Sequence, residues 1–248
     1  MSQKDLVSTS LHLSLKSMNT TAAAPEGSSK GKVGCLVSGG IDSPVAAWLF
    51  ARWGYSPVFV YFDNNPLSDE TTKRRALESM VKVMKHWPDK SAPVYIVPHG
   101  ENLIDLITKC SRKMTCILCR RMMLRVASRI ADLEGARVLV TGEILGEHAS
   151  QTLHNIASIN SATNLLVLRP LIGLNKLEVE RIARRIGTFD TSTKPASCCR
   201  AAPKQPRTKS RTEEVSSAEH ELDIEAMITR AINGLKIETI VADGPSRL

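Results

Sequence analysis

Residues 33–48, VGCLVSGGIDSPVAAW, constrain the fold of this chain more than any other stretch. An apolar run ends at Val37 and passes straight into Ser38-Gly39-Gly40-Ile41-Asp42-Ser43, after which a helical pattern begins. A strand that feeds a helix in this way is one βα unit, and such units assemble as a parallel sheet covered by helices. The glycines let successive backbone N–H groups turn into one concavity, which is a site for phosphate. Ser38 and Ser43 add hydroxyl donors, and Pro44 suits the first helical turn, where a missing N–H costs nothing. The loop has no Gly-Lys-Ser/Thr ending, so it is not a Walker A loop. It lacks the G-x-G-x-x-G spacing of dinucleotide folds as well.

The rest of the chain continues the alternation. PVFVYF at 57–62 is a continuous apolar strand of the kind covered on both faces, PVYIV at 93–97 a third strand, and RVLVT at 137–141 a fourth. Helices are expected at 44–52, 69–86 and 102–109. Another spans 118–133, with Leu118, Met122, Val126, Ile130 and Leu133 on one stripe and Arg121, Arg125 and Arg129 on another. Asn175 and Glu178 have capping-box spacing, and Leu177, Ile182 and Ile186 line the buried side of the helix they open. An amphipathic helix at about 213–233 and a strand at 237–242 close the pattern. The expected fold is α/β, a doubly wound parallel sheet with helices on both faces. Residues 1–31 read as a flexible tail, 32–242 as one domain and 243–248 as a short tail. Ligands of such folds sit outside the carboxyl ends of the strands, at the switch in strand order. SGGIDS, Tyr61-Phe62-Asp63 and Thr141-Gly142-Glu143 all leave strands there, so three loops should converge on one crevice.

No run approaches the ~20 apolar residues that a membrane span needs. A formal charge of +8 suits a polyanion such as RNA, but with 4 % aromatic residues a base-stacking platform is not expected. Six cysteines without a secretory signal indicate a reducing, cytoplasmic setting and metal or redox chemistry. Cys116 and Cys119 form a C-x-x-C at a helix start, which lowers thiol pKa, while Cys35 and Cys110 read as core. Zinc would need further ligands, and no second C-x-x-C or His pair is spaced for it. The arginine face at 121–129 and the basic residues 204–211 are candidate phosphate contacts.

SGGIDS resembles the pyrophosphate-gripping loop of the N-type (PP-loop) ATP pyrophosphatases. Together with CRRMMLRVAS, TGEILGEHASQTLHNI and LRPLIGLNKLEVERIARRIGT, it makes residues 31–240 similar to the tRNA 4-thiouridine synthase (tRNA sulfurtransferase) family. The match covers that family's adenylating domain. The family's ferredoxin-like and THUMP parts are not expected within 31 residues, and the rhodanese domain of some members is not expected either.

The resemblance implies an ATP site. Leu36 and Val37 meet the adenine side, Ser38, Gly39, Gly40, Asp42 and Ser43 grip the pyrophosphate, and Asp42 helps hold Mg²⁺. Tyr61, Phe62, Arg120, Gly142 and Gln151 stand at nucleotide-contacting positions, and Lys176 matches a lysine needed for activity. Cys199 aligns with the catalytic cysteine. With Cys116 and Cys119 it matches family members that hold an iron–sulfur cluster. The implied reaction is adenylation of a tRNA uridine, followed by replacement of AMP by sulfur from a Cys199 persulfide or from cluster-bound sulfide. Expected partners are tRNA, bound directly or through a THUMP-type RNA-binding subunit, a sulfide or sulfur-donor protein, and a second copy as a homodimer. The alternatives left open are sulfur delivery for thiamine thiazole synthesis, another amidating or adenylating enzyme, and a silent ATP- or cluster-binding partner.

Overall fold

The computed structural model describes residues 29–196 and 199–242. β1 (Lys32–Leu36) leads into α1 (Asp42–Arg52), β2 (Ser56–Asp63) into α2 (Glu70–Met84), and β3 (Ser91–Pro98) into α3 (Gly100–Lys109) and α4 (Thr115–Glu134). There follow β4 (Val138–Val140), α5 (Leu153–Asn160), β5 (Leu166–Leu168), α6 (Lys176–Arg185) and α7 (Phe189–Ser192). α8 (Thr212–Ala218), α9 (Ile224–Asn233) and β6 (Lys236–Val241) complete the described chain.

The strands form one sheet in the order β5-β4-β1-β2-β3-β6. β1 to β3 wind outward on one side of β1, and β4 and β5 lie on the other, so the strand order switches between β1 and β4. That is where a doubly wound sheet opens a crevice. Alternate residues of β2 serve opposite layers, as the two-residue strand period requires. Phe59 and Tyr61 pack with Val45, Leu49, Met80 and Val179 from α1, α2 and α6. Val58, Val60 and Phe62 pack with Leu103, Met122, Ile130 and Met227 from α3, α4 and α9.

The α/β, doubly wound architecture is as the alternation implied, with one departure: β6 pairs antiparallel with β3. Sheets of this class commonly carry such an edge strand. α5 and β5 are elements that the pattern did not suggest. Leu177 and Leu133, expected inside, are exposed. The buried stripe of α6 runs through Val179, Ala183 and Ile186, and small Ala183 lets the helix lie close to α1. The capping box at Asn175 and Glu178 is present. Of the expected tails, residues 1–28 and 243–248 lie outside the described residues, as does Cys198. Lys30 N–H, by contrast, donates to Gly54 O, and Ser56 N–H donates to Gly31 O.

The expected single helix at 213–233 is two helices, broken by a 3-10 turn at Glu219–Glu221. The break has an electrostatic cause. Glu219 turns inward and accepts paired hydrogen bonds from Arg121 (2.8 and 2.7 Å) and Arg125 (2.7 and 2.7 Å). Asp223 then caps α9 through Ala226 N–H. The arginine face of α4 is therefore an internal clamp, and only Arg129, beside Glu225 at 3.5 Å, stays exposed. This corrects its assignment as a phosphate-binding face. Burial raises the Glu219 carboxyl, but hydrogen bonds from Arg125 and Arg121 outweigh it and hold the group below the usual carboxylate range.

Breaking a buried pair leaves an uncompensated charge, so Glu219→Ala should cost about 3 kcal/mol, read as a lower urea midpoint. Because the folded pKa is depressed, the clamp contributes fully above the unfolded value of ~4.3 and is lost as pH falls through the lower folded value. Denaturant titrations at descending pH should show that part of the acid loss in the native protein and not in Glu219→Ala.

Candidate active site

The loop at the end of β1 is held open by its own serines. Ser38 N–H donates to Ser43 Oγ (2.8 Å), the two hydroxyls lie 3.0 Å apart, and Gly40 N–H donates to Ser38 Oγ (3.3 Å). The Ile41 N-cap position supplies no side-chain cap to α1, so the first-turn amides remain available to an anion. Close packing explains two of the glycines. A Cβ on Gly39 would lie 2.8 Å from Thr72 O, and one on Gly142 would lie 2.5 Å from both N and Cα of Ser43. Ser192 Oγ donates to Gly40 O at 3.2 Å and fixes the loop from behind.

The three strand-end loops converge on a cavity of about 540 Å³. Leu36, Val37, Ser38, Gly39, Gly40, Asp42 and Ser43 form one side of it, with Tyr61, Phe62, Gly142 and Gln151 adjoining. Arg120, Cys116, Cys119 and Cys199 line the remaining wall. Lys176 is not on the wall. It stands at the start of α6, where Nζ reaches Asp42 Oδ1 (2.8 Å) and Oδ2 (3.0 Å), with Glu147 at 3.5 Å. Gln151 Oε1 and Asn64 Oδ1 are buried on the wall without a hydrogen-bond partner among the described residues. Unfilled acceptors of this kind are rare in folded proteins and suit a bound ligand.

Three wall or near-wall residues have roles that the sequence did not suggest, although the loop carrying Glu143 was expected at the crevice. Glu143 is buried and accepts from Arg120 Nη1 (2.9 Å), Thr141 Oγ1 (3.0 Å) and Arg169 Nε. It holds the Arg120 guanidinium at the cavity. Asn64 Nδ2 lies 3.9 Å from Cys199 Sγ. His99, fully buried, places Nε2 3.3 Å from Cys119 Sγ, and burial followed by Arg230 pushes its pKa down to about 4. The usable signal was position, since Asn64 and His99 directly follow the carboxyl ends of β2 and β3.

The thiols behave differently from the expectation for a helix N-terminus. Burial raises Cys116 despite Arg120 and Arg112, and raises Cys119 further, with Cys199 and Cys116 adding to the effect. Desolvation outweighs the helix dipole here. Cys35 is pushed up to about 12 by burial, and Cys110 is half-buried with Sγ donating to Ala218 O. Among the described residues no three His, Cys, Asp or Glu side chains are gathered as a ready site for a metal ion. No described helix is long and apolar enough to cross a membrane.

An anion cradle at the switch point of a doubly wound sheet, with a nucleotide-sized cavity beside it, is the plan of the PP-loop ATP pyrophosphatase class. Residues 28–224 match the family model described as thiamine biosynthesis protein (ThiI), and the chain belongs to that family. A probable tRNA sulfurtransferase of Methanosarcina acetivorans is 39% identical over 208 residues, 84% of this chain and 50% of that protein. One from Acetivibrio thermocellus is 39% identical over 217 residues, 87% and 55% of the two chains. The chain thus spans about half the length of the curated relatives it matches. A crystal structure of a 4-thiouridine synthetase–RNA complex with bound ATP superposes with a TM-score of 0.82 at 34% identity, over 85% of this chain and 55% of that one. The NMN synthetase of Francisella tularensis (TM-score 0.51, 15% identity, 94% and 92% covered) shares the fold.

Two outcomes follow from this geometry. Gly142→Ala forces a Cβ into backbone, which cannot move aside as a side chain can, and should cost about 1–3 kcal/mol, read as a lower melting temperature. In iodoacetamide labelling near neutral pH followed by peptide mass spectrometry, Cys35 and Cys119 should resist modification, because the thiolate is the reactive form.

Proposed function

We propose that this chain uses ATP to replace a uridine oxygen of tRNA with sulfur, forming 4-thiouridine. One observation carries the reading: the phosphate-cradling loop and Cys199 face the same cavity, with Cys116 and Cys119 on its wall. The relatives named tRNA sulfurtransferase and the ATP-bound 4-thiouridine synthetase support it. Leu36, Val37, Tyr61 and Phe62 hold the adenosine end of ATP, and Gly142 and Gln151 complete that side. Backbone amides of Ser38 to Ser43 take the pyrophosphate. Asp42 fits Mg²⁺, which binds through one or two carboxylates plus substrate phosphates.

The uridine carbonyl oxygen attacks the α-phosphorus, and the α–β bond breaks to release pyrophosphate. An oxo group leaves poorly, whereas the AMP ester leaves well. Arg120, held by Glu143, and Lys176, held by Asp42, are preset cations that offset the charge developing on the phosphoryl oxygens. When the outer sulfur of a Cys199 persulfide displaces AMP from the activated carbon, a disulfide joins the base to Cys199, and the thiol of Cys116 or Cys119 cleaves it, releasing the thiolated base and leaving a protein disulfide. Cys116, Cys119 and Cys199 face this cavity together and are the thiols that would hold an iron–sulfur cluster, which would supply bound sulfide, although they are not gathered closely enough for a single metal ion.

Two variants test the two halves. Asp42→Ala should abolish tRNA-dependent pyrophosphate release. Cys199→Ala should still release pyrophosphate but yield no 4-thiouridine by nucleoside mass spectrometry. Thiolation by Cys199→Ala at the native rate overturns the assignment of that residue.

A further inference from the structure

Residues 200–211 cross one wall of the cavity as a strap. Ala201, Ala202, Pro203 and Pro206 face inward. The strap's backbone is fastened from beneath by Asn155, which is fully buried. Asn155 Nδ2 donates to Arg207 O (2.8 Å), and its Oδ1 accepts from Ser210 N–H (3.0 Å) and Ser210 Oγ (2.7 Å). Thr152 Oγ1 donates to Thr208 O (2.7 Å), and Arg207 N–H donates to Lys113 O (2.9 Å). A segment with its backbone groups so committed is held in place rather than left to solvent.

The outward side of the strap is basic. Residues 200–211 contain five Lys and Arg and no Asp or Glu. Arg207 is answered by Glu214 (2.6 Å), and Arg200 donates to Pro66 O. Lys204, Lys209 and Arg211 are exposed and form no ion pair among the described residues. Arg112 and Lys113, in the 3-10 turn to which the strap is bonded, extend the same rim and are exposed too. Like charges fixed side by side repel one another, and a polyanion lying across them removes that cost. Arg121 and Arg125 of α4 are committed to Glu219, Arg120 to Glu143, and Arg129 lies beside Glu225, so none of the four is as free to meet a polyanion as the strap's exposed Lys204, Lys209 and Arg211.

The geometry points to the strap as the surface that seats the sugar–phosphate backbone of the RNA while its target base enters the cavity. This rests on the tRNA-thiolation reading above. Phosphate contacts of this kind position the nucleic acid without reading its sequence.

The test is tRNA binding by the full chain, followed by fluorescence anisotropy across a range of salt concentrations. Lys204→Gln, Lys209→Gln and Arg211→Gln are combined in one variant. A second variant combines Lys85→Gln, Arg181→Gln and Arg185→Gln, exposed residues of the α2 and α6 layer across the sheet, and removes the same charge. The strap variant should bind about tenfold more weakly, with the slope of log affinity against log salt shallower by about 2, while the second variant stays close to native. Native affinity in the strap variant overturns the proposal, as does an equal loss in both variants or a native chain without affinity for tRNA. An acidic protein as the true occupant appears as the first of these. Pyrophosphate release separates this inference from the one it rests on. Release that persists while the strap variant binds normally overturns the surface alone. Strap-dependent binding without any release overturns the adenylation reading alone.

Discussion

The contact on which the site depends is backbone against backbone. At the switch point between β1 and β4, Gly142 lies so close to Ser43 that a Cβ would stand 2.5 Å from its nitrogen. The approach seats the loop after β4 on the first turn of α1, and neighbouring residues inherit their positions from it. Asp42, just before Ser43, meets Lys176 from α6. Glu143, just after Gly142, turns inward to Arg120 and Arg169. One missing side chain therefore aligns a carboxylate, a lysine and an arginine around the phosphate loop.

Buried carboxylates then fix the direction of the arginines. Glu143 is 3% exposed and is flanked by two guanidinium groups, and Glu219 does the same for Arg121 and Arg125. Buried pairs contribute little net stability over apolar packing, because desolvating both charges is costly. What these two do is geometric. Glu219 takes two arginines out of solvent and bends the 213–233 region into separate helices. Glu143 leaves Arg120 about one third exposed, facing the cavity, with the lost rotamer freedom settled before any ligand arrives.

Much of the fold was legible because strands buried on both faces must be apolar throughout, and the 57–62 and 93–97 runs met that rule. What failed was anything set by distant partners. The 213–233 stretch has an uninterrupted helical pattern, and only the position of Arg121 and Arg125 explains its break at Glu219. Leu177 and Leu133 fit their helical stripes but lie at the margin of the buried face. β5, three residues long, gives no periodicity to detect. In the site, the residues carried by contiguous motifs all reach one cavity except Lys176. Asn64 and His99 were missed, and Glu143 was placed at the crevice without its role, because their significance lies in contacts across 135, 20 and 26 residues of sequence.

The cavity has two unlike halves, and Arg120 serves both. On the phosphate side, backbone amides and helix α1 offer a polar cradle in which negative charge is welcome. On the thiol side, burial raises Cys116 and Cys119 above the ordinary thiol range. Arg120 donates to Glu143 and is the largest charge opposing the rise at Cys116. The guanidinium is therefore placed between a buried carboxylate and a thiol, on the wall of the cavity. Lysine, a strongly hydrated point charge without a planar fork, could not hold Glu143 and address both sides with the same geometry.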